Sequence, residues 1–537
     1  MISRKIYSDV VIKQIPRLLG YINTNKNSRN YGCFDRNFWH YKFVDFPCAR
    51  LQEMSLTLAL LFKRNYPGNL FFKNDEIRDL SIGGIVFWTG IQNNDGSFNE
   101  WYPNEHSFVA TVFSLYAISE AYKLLKPFIS PKKRNEIEFA IANSGKWLTK
   151  HDEKTVSNQQ ACAVCALYNA YLVTKNKKFL RNVNKKFKIL LKLQSSEGWF
   201  PEYGGPDIGY FSILIDYLAK YYKLSKNRRI IKNVDLAIDF LKFFVHPDFT
   251  IGGEYGSRNT EYIFPHGLEV FSFVNTDAKK IANAVLENLK KFGLKLDDRY
   301  LFYHSYNFLQ AYDDFCPRQK NLDLPFKKNF KKYFPHAKIF VASSPTFYSI
   351  FGLGKGGILK IFDKKQKNLI LDDCGLSGRL SDGKYVSTQW LDKDYEIETN
   401  EDFVSVSGKL HLVREYNLTP LSSITLRSAQ SVFGNKMSRF IKEKLRKNLI
   451  RKSKTLPIKF QRTISLQKEK IDIKNTILIQ KKSINFDNLT IGGKFSLIYT
   501  PSSRFFTRLD SGYELNKKEL KKLNKNKNIT ITNSLSL

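Results

Sequence analysis

The chain writes one short pattern twice. Gln92 to Glu100 reads Q-x-x-D-G-S-F-x-E and Gln194 to Glu202 reads Q-x-x-E-G-W-F-x-E, agreeing at Gln, the acid, Gly, Phe and Glu without a gap. Each copy follows an apolar helical run and precedes another, Ser107 to Leu125 after the first and Ile208 to Leu224 after the second. Helix, glycine-turned loop, helix is the unit of an α/α barrel, and a spacing of about 100 residues holds two such hairpins. Stacked units gather their connecting loops at one end. Function is expected there.

The periodicity extends the plan. Apolar residues recur at i, i+3, i+4 and i+7, as at Phe108, Val112, Leu115 and Ile118, through windows near 75–92, 107–126, 131–150, 157–174, 177–194, 208–224, 229–245, 266–274, 277–292 and 300–315. From Ala337 onward, short β-branched and aromatic runs such as KIFVASS, GILKIFD and KIDIKNTILI alternate with turn residues, the texture of an antiparallel sandwich. The fold class expected is therefore an N-terminal (α/α) toroid or incomplete barrel over 1–318, a linker over 319–336, and an antiparallel β-sandwich over 337–537. Within the sandwich, 435–454 reads as a basic helical insertion. Met437, Phe440, Ile441, Leu445 and Leu449 share one helical face there, among nine Lys/Arg and one Glu. Such a segment packs on the barrel or lies on an anionic membrane surface.

At 537 residues the chain exceeds one core, and 42% hydrophobic residues exclude general disorder. Its apolar runs fall short of the ~18 residues a spanning helix needs, and charges break every apolar run of the N-terminus, so a cytoplasmic protein is expected, peripheral to the inner membrane if the basic segment serves that end. A net charge of +36 draws a polyanion. Recognition motifs for nucleic acid are missing, which leaves an acidic polysaccharide or a membrane face as partner. Cys162 and Cys165 form C-x-x-C inside an apolar helical run without a second ligand pair, so core packing is expected rather than zinc. No metal and no cofactor is expected. GLGKGG (352–357) reads as a hairpin turn.

Four loop clusters hold the polar chemistry. They are Asp35, Arg36 and Trp39; Glu100, Trp101, Asn104, Glu105 and His106; Glu202, Tyr203, Asp207 and Tyr210; and Glu254, Tyr255, Arg258, Asn259 and His266. These residue types suit a uronic acid polymer. Its C5 proton is hard to remove beside a negative carboxylate, so Asn, Arg or protonated His must offset that charge while Tyr or His moves the proton. Asn104, His106, Tyr210, Tyr255, Arg258, Asn259 and His266 supply that set, and Trp39 and Trp101 offer platforms for sugar rings. Plainer readings stand beside these: Asn104 as a helix N-cap, Arg258 paired with Glu254 or Glu261, His266 as a structural histidine. Glu100 and Glu202 admit an acid–base pair of a hydrolase, but their equivalent places in the repeat favour bonding of loop backbone. His40, His151, His246, His304 and His336 read as structural.

N-E-H-S at 104–107 and Y-G-S-R-N-T at 255–260, with KFQRTISLQKEKIDIKN at 459–475, resemble the heparinase II/III-like group of polysaccharide lyases. The resemblance implies a toroid followed by a sandwich, and Tyr and His as base and acid. It places Asn104, Glu105 or His106 at the neutralising position, Tyr210 and His266 in proton transfer, and Arg258 and Asn259 on the sugar acid. The function expected is C5 proton abstraction on an acidic polysaccharide, by a lyase or a C5-epimerase. The alternatives are a non-catalytic glycan-binding or assembly protein and an inverting glycoside hydrolase.

Overall fold

The computed structural model describes residues 3–414, 417, 419–446, 453–467, 469–497 and 510–536. Among them, six inner helices, Met54–Lys63, Phe108–Leu125, Ser157–Thr174, Ile208–Ser225, His266–Phe271 and Asp298–Asp313, follow one another in a ring, and the last packs back on the first. Helices Asp75–Gly90, Pro131–Thr149, Lys177–Leu191, Ile231–Leu241 and Thr276–Phe292 lie outside, with Lys5–Ile12 covering the seam beside the last pair. The toroid is closed, not incomplete. Its closing pieces, Lys5–Ile12 and His266–Phe271, are the shortest of these helices.

Side-chain character sorts the two rings. The inner Ser157–Thr174 helix buries Ala161, Cys162, Ala163, Cys165, Ala166 and Ala170 completely, and these small residues let neighbouring helices approach. Cys162 and Cys165 are free thiols pushed well above the ordinary range by burial, as inert packing groups are. The segment Phe108–Phe128 is long and apolar enough to cross a membrane, against the sequence expectation, yet 78% of its apolar window lies buried inside the toroid. The outer Lys177–Leu191 helix instead buries only Phe179, Val183, Lys186, Phe187 and Leu190.

The repeated loop now has a physical reason. Gln92 Nε2 donates to Ala140 O at 2.8 Å and Gln194 Nε2 to Asn233 O at 2.8 Å, so each Gln ties its loop to the next outer helix. Gly96 (φ +90°) and Gly198 (φ +99°) lie where a Cβ would stand 2.4 Å from Asn143 O and 2.1 Å from Leu236 O. Only glycine admits both that conformation and that approach.

Two antiparallel sheets follow. The first runs β1 (Phe330–Phe334), β2 (Ile339–Ser343), β3 (Phe347–Gly352), β4 (Ile358–Asp363) and β5 (Asn368–Asp373) in sequence order. The second holds β6 (Leu376–Leu380), β7 (Tyr385–Ser387), β8 (Glu396–Thr399), β9 (Phe403–Val413), β10 (Thr455–Leu466), β11 (Lys470–Ile479), β12 (Phe486–Ile491), β13 (Tyr513–Glu514) and β14 (Asn528–Ser536). Its path is β13-β12-β6-β7-β9-β10-β11-β14, with β8 beside β9. One face of the first sheet joins the toroid core through Ile339, Val341, Tyr348, Ile350 and Phe362, and the other meets Val404, Ile464, Ile471 and Ile473 of the second. Toroid, first sheet and second sheet form three layers.

Two sequence expectations change here. Residues 319–336 were expected as linker, but they include β1, paired with β2 from Phe330↔Ser343 to Phe334↔Ile339. Lys331 and Lys332 disguise that strand, and lysines on an edge strand also discourage pairing with foreign chains. The basic insertion begins earlier than 435: a helix runs Pro420–Arg446 with a non-helical residue at Gly434. Leu449 and the side chains of Met437 and Leu445 lie outside the described residues.

Candidate active site

The loops before the inner helices meet at the N-terminal end of that ring. Asp207 caps Ile208–Ser225 by accepting from Tyr210 N at 3.0 Å, and the same carboxylate accepts from Thr260 Oγ1 (2.8 Å) and Arg258 N (3.2 Å). One buried acid thus ties the 203–210 loop to the 254–262 loop. Burial pushes its carboxyl up to about 6, against those hydrogen bonds and the Arg258 charge.

A band of rings and guanidinium groups crosses this end. It starts at Trp101, 59% exposed, with the Arg299 guanidinium 3.9 Å over its ring. Arg299 donates to Tyr303 Oη at 2.6 Å and pairs with Glu100 at 3.2 Å. Tyr303 and Tyr300 follow at 6.3 Å between centroids, then Tyr262 at 5.4 Å and Tyr210 at 6.4 Å, while Tyr210 Oη lies 3.3 Å from Tyr300 Oη. Arg258 ends the band, its guanidinium 3.9 Å over Tyr203 and 5.7 Å from the Tyr210 ring. Tyr203 holds φ +58°, a left-handed conformation uncommon outside glycine and frequent at functional loops.

Arg258 has no carboxylate partner for its side chain among the described residues, and its buried Nε lacks a hydrogen bond. The acids that sequence offered it are taken. Glu254 Oε1 accepts from Lys355 Nζ at 2.7 Å, and Glu261 Oε1 accepts from Lys360 Nζ at 2.6 Å. Both lysines enter from the first sheet and are buried. The sandwich therefore uses two cations to occupy the loop's glutamates, leaving the arginine's charge for something else. Asn259 beside it is buried with Oδ1 unbonded.

The two phenols differ in proton affinity. Burial pushes Tyr210 well above its ordinary value, and the nearby Tyr300 adds to this while Arg258 opposes it. Burial also raises Tyr300, but the hydrogen bond from Tyr210 works the other way. Beneath them lies buried His304, its ring 5.7 Å from that of Tyr300. Lys220 donates to Asn307 Oδ1, which turns Asn307 Nδ2 towards His304 Nδ1 at 3.3 Å. That contact assigns the acceptor role to Nδ1 and the proton to Nε2 in the neutral ring. Burial, with Arg50 and Lys220, holds His304 well below the usual histidine range and so neutral.

Other expected site residues lie elsewhere or serve the frame. Tyr255 is buried, bonded to His246 Nε2 at 3.0 Å and stacked on Phe244, so it is closed to a polymer. His266 is buried between Asp216 (Nδ1–Oδ1, 2.7 Å) and Asp314 (Nε2–Oδ2, 2.8 Å), a cross-link between inner helices. His106 sits at φ +49° in a clasp with Ser97 Oγ (2.8 Å) and Asp95 Oδ2 (2.9 Å). Glu105 accepts from the backbone N–H of Glu100 and Trp101 at 2.8 and 2.7 Å, a loop-bonding role. Asn104 is exposed at φ +56°, and Ser107, not Asn104, caps the following helix. Asp35 accepts from Cys48 N at 2.9 Å, Arg36 donates to Gly20 O at 3.2 Å, and Trp39 Nε1 donates to Tyr21 O at 2.8 Å, so all three brace the N-terminal segment. Glu202 accepts from Asn158 N and Nδ2 at 2.7 and 2.8 Å, the loop-bonding role its repeat position indicated, whereas its repeat partner Glu100 pairs with Arg299 instead.

The His266 cross-link has a pH signature. Burial opposes ionisation of Asp314, yet the hydrogen bond and charge of His266, with Lys223, bring its carboxyl down to about 2. A depressed carboxyl stabilises the fold above its unfolded value and loses that contribution as pH falls towards 2. His266→Gln is expected to remove about 2 kcal/mol of this acid-sensitive stability. Urea unfolding should show the difference between variant and wild type in full at pH 6 and shrinking as the pH approaches 2.

A closed ring of paired helices, two stacked antiparallel sheets and an aromatic, cationic band across one end define a toroid-plus-sandwich protein. Solved structures share that architecture. A chondroitin AC lyase from Streptomyces coelicolor A3, in complex with chondroitin sulphate, matches 91% of this chain and 68% of its own, at 9% identity and a TM-score of 0.56. A tyrosine-to-alanine mutant of that enzyme matches with the same coverage, at 8% identity and 0.53. A heparan sulfate lyase mutant from Pedobacter heparinus matches 90% of this chain and 70% of its own, at 10% identity and 0.42. No family model and no curated protein matches the sequence.

Proposed function

We propose that the protein is a β-eliminating lyase acting on a uronate-containing polysaccharide. The observation that carries the reading is Arg258, a half-buried guanidinium without a carboxylate partner among the described residues, lying over Tyr203 at the end of the aromatic band. A uronate carboxylate there satisfies the arginine, and Arg258 in turn stabilises the charge that grows on that carboxylate as the C5 proton leaves. Trp101, with its ring open to solvent, supplies a face for a neighbouring sugar. The chondroitin AC lyase of the same fold is described bound to an acidic polysaccharide, which supports the substrate class.

The Tyr210–Tyr300 pair divides the proton work. Burial raises both phenols, Tyr300 less than Tyr210 in all, because the hydrogen bonds of Tyr210 and Tyr262 with the charges of Arg50 and Arg258 favour the ionised form of Tyr300. As the phenolate, its own proton already given to solvent, Tyr300 takes the C5 proton. The C5–H electrons form the C4=C5 double bond, the C4–O4 bond breaks, and Tyr210, which holds its proton more tightly, gives it to the departing oxygen. The reaction is tested by incubating the protein with a panel of uronate polymers and recording ultraviolet absorbance from the unsaturated product. Rising absorbance is the expected result. Flat absorbance with deuterium entering C5 from heavy water assigns a C5-epimerase instead. Binding with neither signal makes the protein a glycan-binding one.

A further inference from the structure

The helix Pro420–Arg446 leaves an apolar face open. Leu421, Ile424 and Val432, spaced to share one side of the helix before Gly434, are 74%, 62% and 75% exposed. Gln430, on the opposite side, is buried at 1%, so the helix has already chosen which face to cover. Beyond Gly434, Phe440 is 57% exposed with Lys444 Nζ 6.0 Å from its ring. The helix sequence carries Arg427, Lys436, Arg439, Lys442, Lys444 and Arg446 against the single acid Glu443.

A second element adjoins it. Arg427 pairs with Asp45 at 2.8 Å, which brings the helix to the loop that exposes Phe43 (83%) and Tyr41, rings stacked at 5.9 Å beside Lys42. The loop then joins the 92–106 loop through Ala49 N to Asn99 O at 3.1 Å. The exposed Leu421, Ile424 and Val432 and the exposed Phe43 and Tyr41 are thus held on adjoining elements by the Arg427–Asp45 pair.

We infer that this surface docks on an anionic lipid bilayer. Aliphatic side chains enter the interface between headgroups and acyl chains while lysine and arginine stay among the phosphates. An acidic glycan explains the cations but not Leu421, Ile424 and Val432, because sugar rings stack on aromatic faces and gain little from branched aliphatics. The net charge of +36 adds long-range attraction to a negative leaflet. The inference stands apart from the cleft chemistry.

The test is flotation of the whole protein with vesicles of phosphatidylcholine alone or mixed with phosphatidylglycerol, beside the double variant Ile424→Glu/Val432→Glu. Wild type is expected to float with the mixed vesicles and not the neutral ones. The double variant, whose changes are on exposed positions, should bind about tenfold more weakly while melting at the wild-type temperature. Equal flotation of variant and wild type, or no flotation of wild type, overturns the assignment. So does a wild-type dimer in gel filtration that the double variant dissolves, since the face then belongs to a second copy.

Discussion

Tyr300→Phe is expected to lower the rate of unsaturated-product formation by about 10²–10⁴-fold, the usual contribution of a positioned acid or base. Tyr210→Phe should fall comparably on a natural glycan. The two variants part company on a substrate whose C4 oxygen carries an activated aryl leaving group. Such an oxygen departs without a proton, so Tyr210→Phe should regain most of its rate and Tyr300→Phe none. The reason lies in the 3.3 Å contact between the hydroxyls: two phenols that close cannot hold their protons equally. Burial acts on both, but the hydrogen bond raises Tyr210 and lowers Tyr300. Rescue of Tyr300→Phe instead would exchange the roles. Full activity in either single variant removes the pair from the chemistry.

Periodicity made the outer helices legible, because they bury one face, as Phe179, Val183, Phe187 and Leu190 do, while the inner helices, buried nearly all round, were legible as long apolar runs. The duplicated loop was legible for a different reason. Gln and Gly at fixed positions are demanded by backbone contact with the next outer helix, and a backbone contact tolerates few substitutes. Closure of the ring rests on its shortest inner helix, His266–Phe271, which spans under two turns and which the sequence marks only as the window 266–274.

The chemistry divided along the same line. Residue type alone picks out His106 and His266, but their carboxylate partners decide what they do, and Asp216 and Asp314 stand 50 and 48 residues from His266. No local pattern links them. Tyr255 attracts notice as a loop tyrosine, and only the stacked sheet behind it shows that it is sealed in. Arg299 and Tyr300 carry no local signal of a site, because D-D-R-Y-L-F-Y-H reads as an ordinary helix start, with Asp297 as its cap. Their role depends on Trp101 and Tyr210, which approach from other repeats. The lysines were hidden most deeply: a lysine beside a hairpin turn is read as solvated, and nothing local announces a buried glutamate awaiting it.

Those lysines give the other large effect. Lys355→Met is expected to destabilise the protein by about 3–5 kcal/mol, the cost of leaving one member of a buried ion pair without its partner. Lys355 Nζ reaches Glu254 Oε1 at 2.7 Å, Glu254 O at 3.0 Å and Gly256 O at 3.2 Å, so it satisfies one carboxylate and two carbonyls at once. Methionine fills the stem's volume and meets none of these oxygens. Adding Glu254→Gln should recover part of the loss, because a neutral amide is far less costly to bury than a stranded carboxylate. Urea midpoints of the two singles and the double measure that coupling. The stability change has a functional echo. Glu254 released from Lys355 becomes a free anion four residues from Arg258, which it can then pair with, and Arg258 loses the open charge on which the proposed uronate binding rests. Lys355→Met should therefore weaken polymer binding at temperatures where it is fully folded, while the double variant, lacking the competing carboxylate, should bind more tightly than the single. If Lys355→Met unfolds at the wild-type midpoint and binds as well, the sandwich is not what keeps Arg258 unpaired.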